Sequence, residues 1–313
     1  MRAPIVVSLG GNALIPDGSG GRIEEQFRVT RATMAQVVEL LRAGERVVLT
    51  HGNGPVVGNI LIRNEAAAAI IPPTPLYICG ADSQGGIGLM AQQVLGNLIA
   101  RARLPHQVVT LVTQVVVAPD DPGFERPTKP IGPFYTEDEA RSLERERGWR
   151  MVEDSGRGWR RVVASPEPLR IVEIGSVKAL LQAGHVVIAA GGGGVPVIEQ
   201  APGEHAGVEA VIDKDLASVV LGREIGARKL VIVTSVDRVA IHFRTPRQRD
   251  LERLTAKEAR RYLDEGHFPE GSMGPKILGA VRFLEAGGRE VVITSPSKID
   301  EALAGRAGTH IVP

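Results

Sequence analysis

Lysine is scarce in this chain. Seven lysines stand against 30 arginines in 313 residues, and none precedes Lys129. Cys79 is the only cysteine. It excludes an intrachain disulfide, gives no thiolate set for zinc, and suits a reducing compartment. The seven histidines show no metal-ligand spacing, so no protein metal site is expected. The formal net charge is only +1, with arginines interleaved among Glu and Asp. A nucleic-acid partner, which calls for a strongly basic face, is therefore not expected. No apolar run reaches the ~18 residues of a membrane span. Met1-Arg2-Ala3-Pro4 passes directly into an apolar strand, leaving no room for a cleaved leader. A cytoplasmic protein is expected. Several signatures are missing as well. There is no Gly-Lys pair, hence no P-loop, no protein-kinase motif set and no Gly-x-Ser-x-Gly elbow.

What is present is glycine, 37 residues of it, above the usual ~7% and clustered at particular points. The recurring unit is a short apolar strand, a glycine loop and an amphipathic helix. Ile5 to Leu9 runs into Gly10-Gly11-Asn12. Phe27, Met34, Val37, Val38 and Leu41 then recur at helical spacing, with Gly44 as the stop. Arg46 to Thr50 ends in His51-Gly52-Asn53-Gly54-Pro55. Residues about 55–70 and 82–102 read as helices, and Val108 to Val112 and Gln114 to Val117 as strands. His185 to Ala189 empties into Gly191-Gly192-Gly193-Gly194-Val195-Pro196, and Leu230 to Val233 and Glu290 to Ile293 add two more strands. This alternation predicts an α/β fold, a central, mostly parallel sheet covered by helices on both faces. Ligands of such sheets bind beyond the carboxyl ends of the strands, where every glycine loop here falls.

One stretch departs from the pattern. Residues 119–168 are polar and Pro-rich and hold both tryptophans, Trp149 and Trp159. The length exceeds a plain loop. It reads as an inserted subdomain of a single domain spanning 1–313, either a lid over a site or a mobile surface excursion. Its two tryptophans favour a small core of its own.

Three lysines have distinctive settings: Thr128-Lys129-Pro130, Asp213-Lys214-Asp215 and Gly274-Pro275-Lys276. Arginine supplies positive surface elsewhere in this chain. Lysine adds a compact, flexible point charge suited to a phosphoryl oxygen. Glycine loops expose backbone N–H groups to anions, and helix N-termini add a favourable dipole. Gly52-Asn53-Gly54 with Gly58 is a loose relative of the dinucleotide fingerprint, but no acidic residue ends a strand about twenty residues on. Nicotinamide binding is discounted, and phosphoryl transfer fits the parts present. Asp213 and Asp215 either hold lysines from one side or cap a helix starting near Leu216, and the two roles are compatible.

At this level the chain resembles carbamate kinases of the amino-acid kinase fold, nearly end to end. The likeness rests on Leu9-Gly10-Gly11-Asn12-Ala13-Leu14, His51-Gly52-Asn53-Gly54-Pro55, Ser83-Gln84-Gly85 and Pro127 to Tyr135. It continues through Glu153 to Val163, Gly191 to Pro196, Val211-Ile212-Asp213-Lys214-Asp215 and Gly271-Ser272-Met273-Gly274-Pro275-Lys276. The resemblance implies a three-layer αβα sandwich with an open sheet of about eight strands and a small lid. It implies reversible transfer between ATP and carbamate giving ADP and carbamoyl phosphate, with Mg²⁺, in a homodimer. It assigns Gly10, Gly11 and Asn12 to the moving phosphoryl group and Gly52, Asn53 and Gly54 to carbamate. Lys129 and Lys276 neutralise phosphoryl oxygens, Lys214 meets the nucleotide phosphates, and Asp215 organises the lysines. Asp213, Thr234, Ser235, Met273 and Pro275 border the nucleotide. Relatives in the wider fold often carry a lysine on the first strand, where this chain reads Val7-Ser8. Thr234-Ser235-Val236-Asp237-Arg238 also departs from the Thr-Asp-Val-Asp-Gly common among relatives. The rival expectations are a kinase of another acidic acceptor, such as N-acetylglutamate, and a nucleotide sensor without turnover.

Overall fold

Valine and isoleucine runs buried on both faces build the centre of the molecule. A computed structural model describes residues 2–14, 22–154, 156–269 and 272–313. Its main sheet has eight strands. Their order is Arg253–Thr255, Thr309–Val312, Glu290–Thr294, Lys229–Val233, Ile5–Leu9, Val47–His51, Val186–Ile188 and Val108–Thr110. Only Glu290–Thr294 and Thr309–Val312 pair antiparallel.

The period-two alternation of each strand divides the core in two. Val7, Leu9, Leu49 and Val231 face the helices Ile23–Arg42 and Leu76–Arg101. Val6, Leu230, Ile232 and Ile293 face the opposite layer, which contains Met273–Glu285. Val48 and Val187 face Ile174–Gln182 and Lys214–Glu224 on that same side. The result is a three-layer αβα sandwich. The first long helix ends where Gly44 adopts φ +77°, a conformation glycine adopts without a Cβ penalty.

The structure moves one boundary. The helix expected near residue 82 begins at Leu76, after Pro75. Its first N–H is satisfied by Glu209 Oε1 at 2.9 Å, from 133 residues away. A local reading has no access to such a partner. The edge strand Arg253–Thr255 and its neighbour Thr309–Val312 also escaped the sequence reading, being short and half polar.

Within 119–168 the chain forms a three-stranded antiparallel sheet of Lys129–Tyr135, Trp159–Val163 and Arg150–Glu153. The helix Glu137–Arg147 joins two of these strands and opens with a Thr136–Glu139 capping box. Both tryptophans are half-buried, and the aliphatic Ile131, Met151 and Val162 supply the buried positions. Arginines cover the rings: Arg161 lies 4.6 Å from the Trp149 centroid and Arg141 4.6 Å from Trp159. Ile131 and Val163 pack with Val57, Leu76 and Cys79, and an Arg147–Glu65 ion pair ties this segment to the helix Gly54–Ala67. This packing brings Lys129 to the carboxyl end of the main sheet.

Candidate active site

A cleft of about 320 Å³ opens at the carboxyl ends of the first two strands. Three helices begin at its wall: Gly54–Ala67, Lys214–Glu224 and Met273–Glu285. Their N-terminal peptide dipoles give the cleft a positive bias that favours an anion.

Two aspartates gather the three lysines. Asp213 Oδ1 caps its helix, accepting from Asp215 N at 2.8 Å, while its Oδ2 accepts from Lys129 Nζ at 2.7 Å. Asp215 is only 3% exposed and is shared: Lys214 Nζ donates to Oδ1 at 2.6 Å and Lys276 Nζ to Oδ2 at 3.1 Å. Burial alone raises the pKa of the Asp215 carboxyl. The two ammonium groups outweigh that and hold it well below the ordinary carboxylate range. Burial in turn lowers the pKa of Lys214, with Asp215 opposing and Lys276 adding to the fall.

Sequence reasoning overlooked a layer of hydroxyls beneath these charges. Lys214 Nζ also donates to Ser8 Oγ at 2.8 Å, and Ser8 Oγ lies 3.3 Å from Asp215 Oδ1. Ser218 Oγ donates to the Lys214 carbonyl at 2.7 Å and lies 2.7 Å from Thr50 Oγ1. Each hydroxyl therefore has an acceptor, and Lys214 retains one N–H beyond those given to Ser8 and Asp215. The signal available in sequence was a serine in an otherwise aliphatic buried strand, Ile5-Val6-Val7-Ser8-Leu9.

The glycine loops divide into closure and lining. Gly10 N–H donates to the Val233 carbonyl at 2.8 Å and Gly52 N–H to the Leu9 carbonyl at 2.9 Å. Those two donors serve the fold. Gly11, Gly52, Asn53 and Gly54 line the cleft with Lys129, Asp213, Lys214, Asp215, Pro275 and Lys276. Gly10 lies behind it. Asn12 joins the turn Gly11–Ala13 through its backbone, while its side chain and Gly271 lie outside the described residues. Thr33 Oγ1 anchors that turn by donating to the Ala13 carbonyl at 2.6 Å. Asn53 Nδ2 donates to Ser83 Oγ at 2.8 Å, which accounts for the serine of Ser83-Gln84-Gly85. Gln84 clamps the Thr113 backbone through both its amide atoms.

Gly192, at φ +65°, lies so close to Asn53 that an added Cβ would sit 2.1 Å from its Nδ2. His51, buried under the Gly191 turn, is lowered to about 4 by burial, and Lys214 adds to the fall against the Gly52 carbonyl. It is neutral at pH 7. Thr234, Ser235 and Met273 do not line this cleft. Thr234 bonds the Thr294 carbonyl beside Gly10, and Met273 packs against the core.

Comparison with known proteins identifies the family of the chain. The chain matches the amino acid kinase family over residues 3–295 and belongs to it. It is 50% identical to the carbamate kinase-like protein YahI of Escherichia coli, over 100% of this chain and 99% of that one. It is 48% identical to the carbamate kinase of Pyrococcus furiosus, over 99% of each. Among solved structures, the carbamate kinase of Giardia lamblia bound to AMP-PNP superposes with a TM-score of 0.92 at 42% identity, covering 99% of this chain and 98% of that one.

Proposed function

We propose that this chain is a carbamate kinase, moving a phosphoryl group reversibly between ATP and carbamate to give ADP and carbamoyl phosphate. The observation that carries the reading is the convergence of Lys129, Lys214 and Lys276 on one cleft through Asp213 and Asp215. Carbamate is already an anion at neutral pH, so the acceptor needs no general base. The barrier is the approach of two negative groups, which cations and oriented N–H donors lower.

In this reading Lys129 and Lys276 shield the equatorial phosphoryl oxygens. Lys214, held from below by Ser8, contacts the nucleotide phosphates. Asn53 and Gly54, at the start of a helix, hold the carbamate carboxylate, and Gly11 approaches the moving group. Thr234, Ser235 and Met273 fall to the nucleoside end, beyond the phosphates. Residues 119–168 act as the lid that delivers Lys129.

The reaction's Mg²⁺ fits a metal carried by the nucleotide. Both Asp215 oxygens are bonded to lysines, and those of Asp213 to Lys129 and a helix N-terminus. Among the described residues no cluster of three acidic, histidine or cysteine side chains is set to hold a metal. Carried in by the nucleotide, the ion would supply charge neutralisation at the phosphates beside Lys214 and Lys276.

The reading includes a cytoplasmic homodimer. Supporting the pairing, the helix Leu76–Arg101 exposes Ile78 and Leu89 on the face where Gly85 and Gly86 have open space above them. Ile70 and Ile71 are exposed just before it. A second copy crossing there covers apolar surface at close backbone approach. Light scattering on wild type and Leu89→Arg tests it; a wild-type monomer refutes it.

The decisive assay couples ATP formation to ADP plus carbamoyl phosphate. Turnover there, and none with acetylglutamate plus ATP, is expected. Nucleotide binding without any turnover identifies a sensor instead.

A further inference from the structure

The three-layer arrangement stops short at one edge of the sheet. The strands Arg253–Thr255 and Thr309–Val312 bury Leu254 and Ile311 against the layer that holds Ile277 and Phe283. Neither strand contributes to the core beneath Ile23–Arg42 on the other face. On that bare face Arg253 stands in register with His310, one position out of phase with the buried pair. The face, Arg238 and the turn Gly305 to Gly308 line an open cavity of about 360 Å³, comparable in size to the catalytic cleft. Sites for small molecules begin at about 300 Å³.

The charges around this cavity are unevenly matched. Glu252 pairs with Arg238 at 2.8 Å. Glu290 pairs with Lys229 at 2.7 Å and with His310 Nδ1 at 2.8 Å. His310 Nε2 is engaged by the Ala307 carbonyl at 2.9 Å, so the ring is fixed as part of the wall. Each carboxylate of the lining therefore has its own cation. Arg253 and Arg306 also line the cavity, and their exposed guanidinium groups have no ion-pair partner among the described residues. Two free planar forks beside a concavity, with the local carboxylates already engaged, suit bidentate recognition of oxyanions. The concave shape concentrates their field.

We propose that this cavity is a second anion-binding site, separate from the catalytic cleft, that takes a small, multiply charged oxyanion through Arg253 and Arg306. The ligand class is a phosphate or polycarboxylate compact enough for both arginines to reach. The site is independent of the reaction: no residue that lines it lines the cleft.

Calorimetric titration with inorganic pyrophosphate tests it, in three forms of the full chain. Lys129→Ala/Lys276→Ala, with the catalytic cleft weakened, retains one binding event. Arg253→Ala/Arg306→Ala loses that event, at least tenfold in affinity, while ADP binding and the melting temperature stay at wild-type values. Added salt weakens the retained event, as expected of exposed charges. Arg306→Gln alone, in an exposed turn outside the core, gives the same readout should the pair variant misfold. Competition by citrate identifies a general polyanion site, and its failure to compete narrows the ligand to phosphates. Pyrophosphate binding unchanged by loss of the arginines, or abolished by the two lysine changes alone, overturns the proposal.

Discussion

Ser8 Oγ accepts a hydrogen bond from Lys214 Nζ at 2.8 Å. The first strand of the sheet thus holds, from beneath, the lysine that begins the helix Lys214–Glu224. Ser8 is fully buried and Lys214 almost so, which makes the acceptor hard to replace with water. A hydrogen bond to a charged group contributes about 1.5–3 kcal/mol, or roughly ten- to a hundredfold in rate if lost in the transition state. Ser8→Ala is therefore expected to lower kcat by about that factor, with KM for ADP little changed. The pKa of Lys214 is already lowered by burial and by Lys276, against Asp215 and Asp213. Without the Ser8 acceptor it falls further, so the alkaline limb of the kcat–pH profile moves to lower pH. A profile superimposable on wild type reduces Ser8 to a packing role.

Lys129 and Lys276 reach the cleft from separate elements, one from residues 119–168 and the other from the first turn of Met273–Glu285. Replacing either by alanine is expected to cut kcat by at least the ~10²-fold typical of a lost transition-state donor. Arginine should restore little. Its planar fork is larger than the ammonium that Asp213 or Asp215 holds at one oxygen. Full turnover by Lys129→Ala in the coupled assay removes the lid from the mechanism.

The sheet and its loops were legible because buried parallel strands announce themselves as apolar runs and glycine marks where they end. Lys129, Lys214 and Lys276 stood out against an arginine background, so the cleft's cations could be named from composition and setting. The hydroxyls of Thr50 and Ser218 could not be named, since isolated serine and threonine are common inside helices and strands. Their roles exist only once Thr50 and Ser218, 168 residues apart, approach to 2.7 Å. Gly10 shows the opposite limit. It sits in the right loop, but whether its N–H faces a ligand or the Val233 carbonyl is decided by strand pairing.

Gly192 tests the approach of two loops. At φ +65° a side chain is strained, and its Cβ would displace the Asn53 amide. Gly192→Ala is expected to raise KM for carbamoyl phosphate about as much as Asn53→Ala does, with the fold intact by circular dichroism. Normal KM in the folded variant separates Asn53 from the substrate.

His51 sets an acid limit on stability. Its pKa is about 4 in the folded chain against an ordinary 6.5. The unfolded chain therefore binds more protons between those values, and folding free energy declines as pH falls through that window. The full loss, on the order of 3 kcal/mol, is reached below pH 4. Asp215 follows the same sign but below its ordinary range, so its contribution is lost at still lower pH. Urea midpoints measured from pH 7.5 down to 4.5 should fall progressively. A flat series means that His51 titrates normally and the pocket admits water.

Cys79 has no solvent exposure. It sits in the first turn of Leu76–Arg101, within the apolar contact between that helix and Val57, Ile131 and Val163. Asn64 Nδ2 approaches its sulfur at 3.1 Å. Reaction of the thiolate with a bulky disulfide requires both exposure and deprotonation, so the native thiol should react only through opening of this contact. Ellman's reagent is expected to find no fast thiol in the folded chain and one in denaturant, with catalysis unaffected while the thiol stays unreacted. Substrate protection bears on residues 119–168 directly: if nucleotide and carbamoyl phosphate slow the reaction further, closure over the cleft tightens the packing of Ile131 on Cys79. Rapid labelling in the native state, insensitive to substrates, contradicts that coupling between lid and helix.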